Sequence, residues 1–427
     1  MKKEVKYNIG KFYNRECCRF CNSTDLEEVL DLGLMPLAGA FIKEKEFKNE
    51  MFYPLTLDFC NSCSLVQVKE VISADVLFKD NYFFFSSSIN TLINHFKDYA
   101  LDLYRNFLVD IESPKILEIG CNDGVMLKPF SDLGVFPIGV DPATNVVKTI
   151  DIQNAAIYND YFTEELSKNI LNRHGKIDLV VSNFSFAHID DMQDVIKGIT
   201  TILKSDGVFV FEIYYLVNLI EEMNYDMIYH EHMSYYSLFT LTKFFANYGM
   251  EVFDIKHNKE VRTGSTRFYV KYSSNNSLKI LDSVKILYNK EINYNFHKKN
   301  IYNSYAENVE LNKIQTIDLL EKIKREGKTI IGYGASGRGT VIMNYCNIDS
   351  KYIDYVVDDA PQKEGYFTPG TRLEIKSWDY VLESGYPDYI ILFAWSFASE
   401  VIKKRNDFIK SGGKFIIPLP KLTQFPN

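Results

Sequence analysis

The sequence predicts an α/β protein in which a small cysteine-rich module precedes two doubly wound parallel-sheet domains. Three observations support this fold class. Two closely spaced cysteine pairs lie near the N-terminal end of the chain. From about residue 79 onward, short apolar runs alternate with helical segments, which is the pattern of parallel sheets covered by helices. Two glycine-rich loops each follow such an apolar run, one in the middle of the chain and one in its last third.

The N-terminal module, predicted over residues 1–78, contains the pairs Cys18 to Cys21 and Cys60 to Cys63. Two residues separate the cysteines of each pair, and this spacing lets both thiolates face one ion. Four such ligands close a tetrahedral site and leave no position for water, so we expect a structural Zn²⁺. The alternative is a set of four buried thiols without metal. The neighbouring Cys17 falls outside the spacing and is predicted to be a spare thiol.

Composition and charge exclude several classes of protein. The 427 residues carry a formal net charge of −8, which argues against a nucleic-acid partner and against a basic membrane-binding face. No run of about 18 apolar residues predicts a membrane span, and the first residues lack the apolar segment of a secretory signal. We therefore expect a soluble, cytoplasmic protein that is a monomer or a weak dimer.

The middle domain is predicted over residues 79–272, and its apolar runs have the length and spacing of buried parallel strands. One helix is expected at Val125–Leu133. The strands are predicted at Lys115–Ile119, Val135–Val140, Ile177–Ser182 and Gly207–Ile213. This alternation indicates a Rossmann-like sheet with helices on both faces.

The first glycine-rich loop runs from Gly120 to Gly124, and Asp141 ends the following strand. Glycines let a ligand approach the backbone, and a carboxylate in the position of Asp141 can accept both hydroxyls of a ribose. Asn122 and Asp123 suit a cationic ligand better than a pyrophosphate, which favours S-adenosylmethionine (SAM). A dinucleotide site and a purely structural turn are the alternatives.

The C-terminal domain is predicted over residues 273–427. Its first helix, ending near Gly327, carries apolar residues at three-residue steps that we expect to face the core: Leu311, Ile314, Ile317, Leu320 and Ile323. A second glycine-rich loop, Gly332 to Gly339, then follows a strand. Its backbone amides and Arg338 can cradle the phosphates of a nucleotide-linked ligand, and a tight packing turn is the alternative. Later strands are predicted at Tyr355–Val357, Tyr389–Phe393 and Lys414–Pro418.

A dense group of proton-handling side chains lies between the two loops, from Tyr229 through His230 and Glu231 to His232. The chain has 7 histidines in all, so two of them one residue apart are not an effect of abundance. In an extended stretch the two histidines would share one face. A histidine near its ordinary pKa is suited to remove a proton beside a carbonyl group. The alternative is a set of polar residues that bridges two domains.

Taken together, these motifs resemble the SAM-dependent sugar C-methyltransferase family, which acts on nucleotide-linked 4-keto-6-deoxy sugars. The resemblance runs nearly end to end, and its main segments are Cys18–Cys21, Cys60–Cys63, Leu117–Gly124, Asn183–His188, Tyr229–His232 and Gly332–Gly337. It implies a zinc-binding N-terminal domain, a SAM-binding middle domain and a Rossmann-like C-terminal domain that helps to hold the nucleotide-sugar substrate. It also implies methylation of the carbon beside the ketone, C3, in deoxysugar biosynthesis.

Carried over residue by residue, the resemblance implies that His232 is the catalytic base, with Tyr229 and Glu231 as its companions. It assigns His188 and, in a segment of ambiguous register, Tyr82 to the same active site. The cofactor-binding residues that it implies are Glu118, Gly120, Asn122, Asp123, Gly124, Asp141 and Asn183. The implied substrate-binding residues are Ser86, Arg267, Gly334, Ser336 and Arg338.

Two departures from the family pattern concern the substrate. Phe84 stands where the family often has a second tyrosine, which removes a hydroxyl that can contact a sugar. Arg262 and Thr263 replace a histidine and a glycine. The competing hypotheses are a nicotinamide-dependent oxidoreductase or epimerase that uses the second loop, a sugar O-methyltransferase, and a zinc scaffold without catalytic activity.

Overall fold

A computed structural model of the protein describes residues 7–79, 84–258 and 264–426. These residues form sheets of 5, 7 and 6 strands, together with one 2-stranded pairing. Within the described ranges, none of the helices combines the length and the apolar character that a bilayer crossing needs.

The N-terminal module is built on a long antiparallel pair of strands. Its strands are β1 (Asn8–Ile9), β2 (Tyr13–Asn14), β3 (Leu26–Pro36), β4 (Met51–Cys60), β5 (Val66–Val68) and β6 (Glu70–Val71). Strand β4 pairs with β1, β3 and β5, and both of its faces are buried apart from its first residue and Pro54. Its apolar side chains share a core with helices of the C-terminal domain, so the module is packed against the rest of the chain.

The middle domain contains the largest sheet. The strands in this part of the chain are β7 (Lys115–Ile119), β8 (Phe136–Val140), β9 (Ala156–Tyr158), β10 (Ile177–Asn183), β11 (Leu203–Ile213), β12 (Ser234–Tyr235), β13 (Met250–Asn258) and β14 (Ser265–Tyr272). All of them except β12 belong to this sheet. Its helices are α1 (Asn90–Phe107), α2 (Leu127–Asp132), α3 (Thr144–Val147), α4 (Glu164–His174), α5 (Met192–Ile202), α6 (Leu216–Glu221) and α7 (Leu238–Ala246). The sheet order is β13-β14-β11-β10-β7-β8-β9. Strands β11 to β9 in this order are parallel, whereas β13 and β14 are antiparallel additions at one edge.

The C-terminal domain contains the third sheet. Its strands are β15 (Ile330–Tyr333), β16 (Val356–Val357), β17 (Ile375–Lys376), β18 (Tyr389–Leu392), β19 (Lys414–Ile417) and β20 (Thr423–Phe425). Its helices are α8 (Asp282–Asn293), α9 (Lys299–Arg325), α10 (Gly337–Tyr345), α11 (Trp378–Ser384), α12 (Ala398–Lys404) and α13 (Asn406–Lys410). The order is β17-β16-β15-β18-β19-β20. Among the described strands of this sheet, only β20 runs antiparallel to its neighbour.

The predicted fold class is confirmed. The buried strands lie within a few residues of their predicted positions because continuous apolar runs mark strands that are covered on both faces. The short strand β12 was not predicted, and it pairs with β5 of the N-terminal sheet. The middle part of the chain therefore completes the sheet of the N-terminal module.

Helix α8 packs on the middle domain, although its residues fall in the segment predicted for the C-terminal domain. Val284 and Leu287 belong to the core of the middle sheet. The buried carboxylate of Glu291 accepts hydrogen bonds from the backbone amides of Leu238 (2.6 Å) and Phe239 (2.7 Å), which begin helix α7. A carboxylate at a helix N-terminus satisfies amides that have no partner inside the helix. The domain boundaries themselves stay a prediction.

Helix α9 corrects one prediction about its core-facing side. Leu320 and Ile323 are buried, but Leu311 is 50% exposed and Ile314 is 48% exposed. The reason is geometric: three residues turn an α-helix by about 300°, so a repeat of three drifts around the helix by about 60° per step. The true core face carries residues at mixed spacings of three and four, such as Tyr305, Val309 and Asn312.

This difference between the two faces of α9 can be measured by alanine substitution. Leu320→Ala should lower the free energy of unfolding by about 2–5 kcal/mol, because it removes a fully buried side chain. Ile314→Ala, on the exposed face of the same helix, should change it by no more than about 0.5 kcal/mol. Urea unfolding followed by circular dichroism gives both values, and equal losses would contradict the observed orientation.

Candidate active site

The candidate site lies at the carboxyl ends of β7, β8, β10 and β11, where open parallel sheets bind their ligands. The loop after β7 requires glycine at its first position. Gly120 has a φ of +75°, and a Cβ there would lie 2.4 Å from the Cβ of Ser185. Ser185 is itself fixed, since its Oγ donates to the carbonyl of Ile119 at 2.7 Å. The loop therefore turns sharply and leaves its backbone open toward the sheet edge.

Three buried oxygen atoms surround this loop without a hydrogen-bond partner among the described residues: Glu118 Oε2, Asp123 Oδ1 and Asn183 Oδ1. The amide of Asn183 donates to the other oxygen of Glu118 at 3.2 Å. Burial raises the pKa of the Glu118 carboxyl to about 8, and the negative charges of Asp141 and Asp123 add to this effect. Buried acceptors without partners are costly, so a ligand with positive charge or with hydroxyl donors fits here. SAM has both.

Asp141 ends strand β8 and is held in a fixed orientation. Its two carboxylate oxygens accept the backbone amides of Asn122 and Ala143, each at 2.9 Å. Burial raises the pKa of the Asp141 carboxyl. An acid in this place is the expected partner of a ribose. Its role in cofactor binding stays a prediction, as does that of Gly124.

Asn122 and Asp123, which are predicted to suit a cationic ligand, also hold a neighbouring segment of the chain, and their roles in cofactor binding stay predictions. The amide of Asn122 donates to the carbonyl of Phe84 at 3.0 Å and accepts the backbone amide of Ser86 at 2.9 Å. One oxygen of Asp123 accepts the backbone amide of Ser87 at 2.9 Å. These side chains therefore dock residues 84–87 onto the loop, and this docking brings Ser86 next to the cofactor region.

Three residues with predicted or questioned roles, Tyr82, Arg262 and Thr263, lie outside the described residues. The role of Tyr82 stays a prediction.

His232 has a defined hydrogen bond on one side of its ring. Nδ1 lies 2.7 Å from the carbonyl oxygen of Met227, and the side chain is 4% exposed. Because a carbonyl oxygen only accepts hydrogen bonds, Nδ1 carries the proton and Nε2 of the neutral ring carries the lone pair. This tautomer is the one in which Nε2 can act as a base.

Aromatic rings surround His232. The centroid of its ring lies 3.9 Å from that of Tyr229, 5.1 Å from that of His188 and 5.5 Å from that of Tyr214. The structure therefore brings together His232, Tyr229 and His188, as the resemblance implied. Tyr214 was not identified from the sequence. It directly follows β11, and a polar aromatic residue at the carboxyl end of a parallel strand was the available signal.

The prediction that His230 and His232 share one face is wrong. The backbone amide of His232 donates to the carbonyl of Tyr229 at 2.9 Å, which closes a turn in place of an extended stretch. Nε2 of His230 instead contacts the carbonyl oxygen of Pro54 in the N-terminal module at 2.9 Å. Burial lowers the pKa of His230 to about 4, so this ring is neutral. His230 thus joins two domains, and His232 faces the site.

Glu231 is partly buried between these histidines. Burial raises the pKa of its carboxyl to about 7. A carboxyl group that changes charge near neutral pH can exchange protons with a ligand or a neighbouring ring. Its predicted influence on the imidazole of His232 stays a prediction.

The second glycine-rich loop reaches this turn through Arg338. The guanidinium of Arg338 donates to both oxygens of the fully buried Asp226, at 2.8 and 3.0 Å, and the indole of Trp395 donates to the same carboxylate at 2.7 Å. Burial alone would lower the pKa of Arg338, but the charge of Asp226 raises it. Charge interactions with Tyr214 and Tyr229 add to this increase. The C-terminal domain therefore binds the segment that precedes His232 through the side chain of Asp226. A contact of Arg338 with phosphate stays a prediction.

The rest of this loop forms a tight packing turn. Gly334 has a φ of +99°, and a Cβ there would lie 2.5 Å from the Cβ of Ala394. Ser336 directly precedes α10 and caps it, because its Oγ accepts a hydrogen bond from the backbone amide of Gly339 at 3.0 Å. The carboxylate of Asp358 accepts the amide of Ala335 at 2.8 Å. Substrate binding by Gly334 and Ser336 stays a prediction.

Arg267 belongs to a buried ion-pair network on strand β14. Its guanidinium donates to Glu212 at 3.0 and 2.9 Å and lies 3.0 Å from the ring centroid of Tyr99. Burial alone would raise the pKa of Glu212, but the hydrogen bond with His95 and the charge of Arg267 lower it to about 2. The network fixes the sheet edge beside the site. Substrate binding by Arg267 stays a prediction.

The four predicted metal ligands come together in the N-terminal module. All four sulfur atoms lie within 4.8 Å of one another, and they belong to Cys18, Cys21, Cys60 and Cys63. Four thiolates about 2.3 Å from one Zn²⁺ have mutual distances in this range, so the cluster fits a tetrahedral ion. Cys17 lies outside the cluster, as predicted.

Three protein families match consecutive parts of the chain. Residues 18–78 match a zinc binding domain family, and residues 93–255 match the methyltransferase domain family. Residues 260–420 match the family described as the C-methyltransferase C-terminal domain.

Individual proteins are similar over different lengths. The C-methyltransferase NovU of Streptomyces niveus is 31% identical over 406 residues, which are 95% of this chain and 95% of that protein. A ubiquinone biosynthesis O-methyltransferase of Bartonella quintana is 31% identical over 103 residues, 24% of this chain and 41% of that protein. Among solved structures, an S-adenosylmethionine-dependent methyltransferase from Clostridium acetobutylicum aligns with a TM-score of 0.33 at 15% identity, covering 44% of this chain and 93% of that chain.

The similarity to NovU extends over nearly the whole of both chains, and the C-terminal family match concerns C-methyl transfer specifically. The zinc binding match coincides with the cysteine cluster, and the methyltransferase match coincides with the loop from Gly120 to Gly124. This protein is a SAM-dependent methyltransferase and belongs to the C-methyltransferase family.

Proposed function

We propose that the protein methylates C3 of a nucleotide-linked 4-keto-6-deoxy sugar in deoxysugar biosynthesis. The observation that carries the proposal is the bond between His232 Nδ1 and the carbonyl of Met227, because it leaves a basic nitrogen among groups that can donate hydrogen bonds. The hydrogen on a carbon beside a ketone is acidic enough for an imidazole to remove. A sugar with a keto group at C4 presents such a hydrogen at C3.

In the mechanism, Nε2 of His232 takes the proton from C3, and the electron pair moves onto the C4 oxygen as an enolate. Tyr229 and His188, whose rings flank that of His232, are the nearest candidates to donate hydrogen bonds to this oxygen. Arg338 adds positive charge close to Tyr229, which favours its hydroxyl as a donor. Tyr82 is the further donor implied by the family resemblance.

Gly120, Asp141 and the unpartnered oxygens of Glu118, Asp123 and Asn183 are the groups that would hold the cofactor. When bound, SAM supplies the electrophilic methyl group that the carbon accepts. The chain contributes alignment of the two ligands, which is a large part of catalysis in bimolecular transfers. The C-terminal domain would hold the nucleotide part of the sugar substrate near the loop that carries Arg338.

The oxidoreductase hypothesis finds no support at the second loop. One acid that could bind a ribose there, Asp358, forms an ion pair with the ammonium of Lys363 (3.1 Å), whereas the carboxylate of Asp141 accepts backbone amides. We also infer that the ion of the cysteine cluster is Zn²⁺, since four thiolates suit this metal. The cytoplasmic location and the monomeric or weakly dimeric state stay predictions.

The substrate proposal is tested by incubating the protein with SAM and a panel of nucleotide-linked sugars. The panel pairs each 4-keto-6-deoxy sugar with its 4-hydroxy counterpart, and mass spectrometry detects the product. We expect a gain of one methylene unit on a 4-keto sugar only, with the new methyl group on carbon. Methylation of a 4-hydroxy sugar, or attachment to oxygen, would refute the proposal.

In the same assay, His232→Asn should lower kcat by about 10²–10⁴-fold, the usual contribution of a general base. Calorimetry should show unchanged SAM affinity, because His232 is not among the residues expected to hold the cofactor. His230→Asn is the matched control: this ring contacts Pro54 and has no proposed part in the proton transfer, so this variant should lose far less kcat than His232→Asn. Comparable losses of kcat in both variants would contradict the assignment of the base.

The pKa of Glu231 makes stability depend on pH. Burial raises this pKa from 4.5 to about 7 in the folded protein, so the folded state binds the proton more tightly than the unfolded state. The resulting contribution to the free energy of unfolding is complete below about pH 4.5 and is lost as the pH rises through about 7. Urea unfolding should therefore show wild type losing stability relative to Glu231→Gln across this range. A pH-independent difference would mean that burial does not shift this carboxyl.

The amount of bound zinc should distinguish the four cysteines of the cluster from the neighbouring Cys17. Cys60→Ser should lose bound Zn²⁺ and melt at a lower temperature, because a closed site contributes directly to folding. Cys17→Ser should keep one Zn²⁺ per chain, since Cys17 lies outside the cluster. Elemental analysis of the purified variants measures both. Zinc lost from Cys17→Ser, or retained in full by Cys60→Ser, would disprove the ligand set.

A further inference from the structure

The zinc module contacts the active site through Arg19, which lies between the ligands Cys18 and Cys21. Arg19 is 0% exposed. Its Nε donates to Asp190 Oδ1 at 2.9 Å, and its Nη1 donates to the carbonyl of Val68 at 2.7 Å. A buried guanidinium that is paired and hydrogen-bonded in two directions has little freedom to move.

Two backbone hydrogen bonds continue from Val68 into the active site. The amide of Val68 donates to the carbonyl of Met233, and the amide of Met233 donates to the carbonyl of Ala187, both at 2.9 Å. Ala187 is followed three residues later by Asp190, which returns the path to Arg19. These contacts form a closed circuit, here called the knuckle ring, through Arg19, Val68, Met233, Ala187 and Asp190.

Both active-site histidines are attached to the knuckle ring. His232 directly precedes Met233, and His188 directly follows Ala187. Their ring centroids lie 5.1 Å apart with an interplanar angle of 27°. The hydrogen bond between Met233 and Ala187 joins the two backbones next to these side chains. The knuckle ring therefore sets the separation of the two imidazoles.

We propose that Arg19 and Asp190 are positioning residues that hold His188 and His232 at their working separation, and that the zinc module is thereby part of the catalytic framework. The proposal deepens the proposed function and rests on it for the chemical roles of the two histidines. The zinc ion would fix the loop that carries Arg19, and Arg19 would fix the turn that carries His188. Loss of either contact leaves the other histidine in place but misaligns the pair.

The chain offers a matched control on the same carboxylate. The second oxygen of Asp190, Oδ2, accepts hydrogen bonds from Arg15 at 2.9 Å and from Tyr13 at 2.8 Å. These two side chains bind Asp190 from outside the knuckle ring. Arg15→Gln removes one positive charge beside Asp190 and leaves the contacts of the knuckle ring intact. Arg19→Gln also removes one positive charge beside Asp190, but it breaks the knuckle ring at the contact between residue 19 and Asp190.

The first measurement is hydrogen exchange by mass spectrometry on the ligand-free protein. In Arg19→Gln and Asp190→Asn, amides of residues 185–191 and 228–233 should exchange faster than in wild type, with one Zn²⁺ still bound. In Arg15→Gln they should exchange as in wild type. Unchanged exchange in Asp190→Asn, or equal acceleration in Arg15→Gln, would overturn the proposal. This measurement needs no substrate, so it decides the matter even if no keto-sugar is methylated.

The second measurement is steady-state methyl transfer. Arg19→Gln and Asp190→Asn should lower kcat at least about tenfold with little change in the KM for SAM, because a misplacement of about 1 Å can cost up to ~100-fold. The double variant should be no slower than the slower single variant, since both open one ring. If Arg19→Gln fails to fold, Asp190→Asn, at a side chain 24% exposed, carries the test. Additive losses, or a rise in KM at constant kcat, would contradict positioning.

Discussion

The proposed chemistry depends on the hydrogen bond from His232 Nδ1 to the carbonyl of Met227. This bond selects one tautomer of a buried ring, and without it the basic nitrogen would be divided between two positions. The carbonyl is held by the short turn Tyr225–Met227, and the buried carboxylate of Asp226 in that turn is gripped by Arg338 and Trp395. The tautomer of the base therefore depends on a domain that follows it in sequence.

Contacts from both flanking parts of the chain hold the segment that carries His232. The N-terminal module accepts strand β12 and binds His230, and the C-terminal domain binds Asp226, so the segment between them is held from both sides. A buried ion pair adds little net stability, but breaking it is costly, and it therefore specifies one arrangement. The segment that carries His232 therefore contacts both flanking parts of the chain. The catalytic segment is ordered where all three domains meet.

The sequence predicted the fold and the cysteine cluster well, because the features concerned are local. Buried parallel strands appear as apolar runs, and the cysteine spacing alone identified the cluster that the structure assembles. The errors concern features that depend on distant contacts. The extended geometry expected around His230 is replaced by a turn because its ring binds Pro54, which is far away in sequence. Arg19 and Asp190 acquire their positions through a contact between domains, and no local pattern reports such a contact.

The electrostatics of the first loop favour a cationic ligand over a neutral one. Burial raises the pKa of the Glu118 carboxyl to about 8, and the charges of Asp141 and Asp123 add to this increase, so this carboxyl is largely protonated at neutral pH. A positive charge placed among these acids would favour the ionised form of Glu118 and would interact with the oxygens that burial leaves unsatisfied. SAM carries this charge on its sulfonium, and the charge disappears from sulfur once the methyl group has left. The charge of SAM therefore suits this loop, as expected for a match to the methyltransferase domain family.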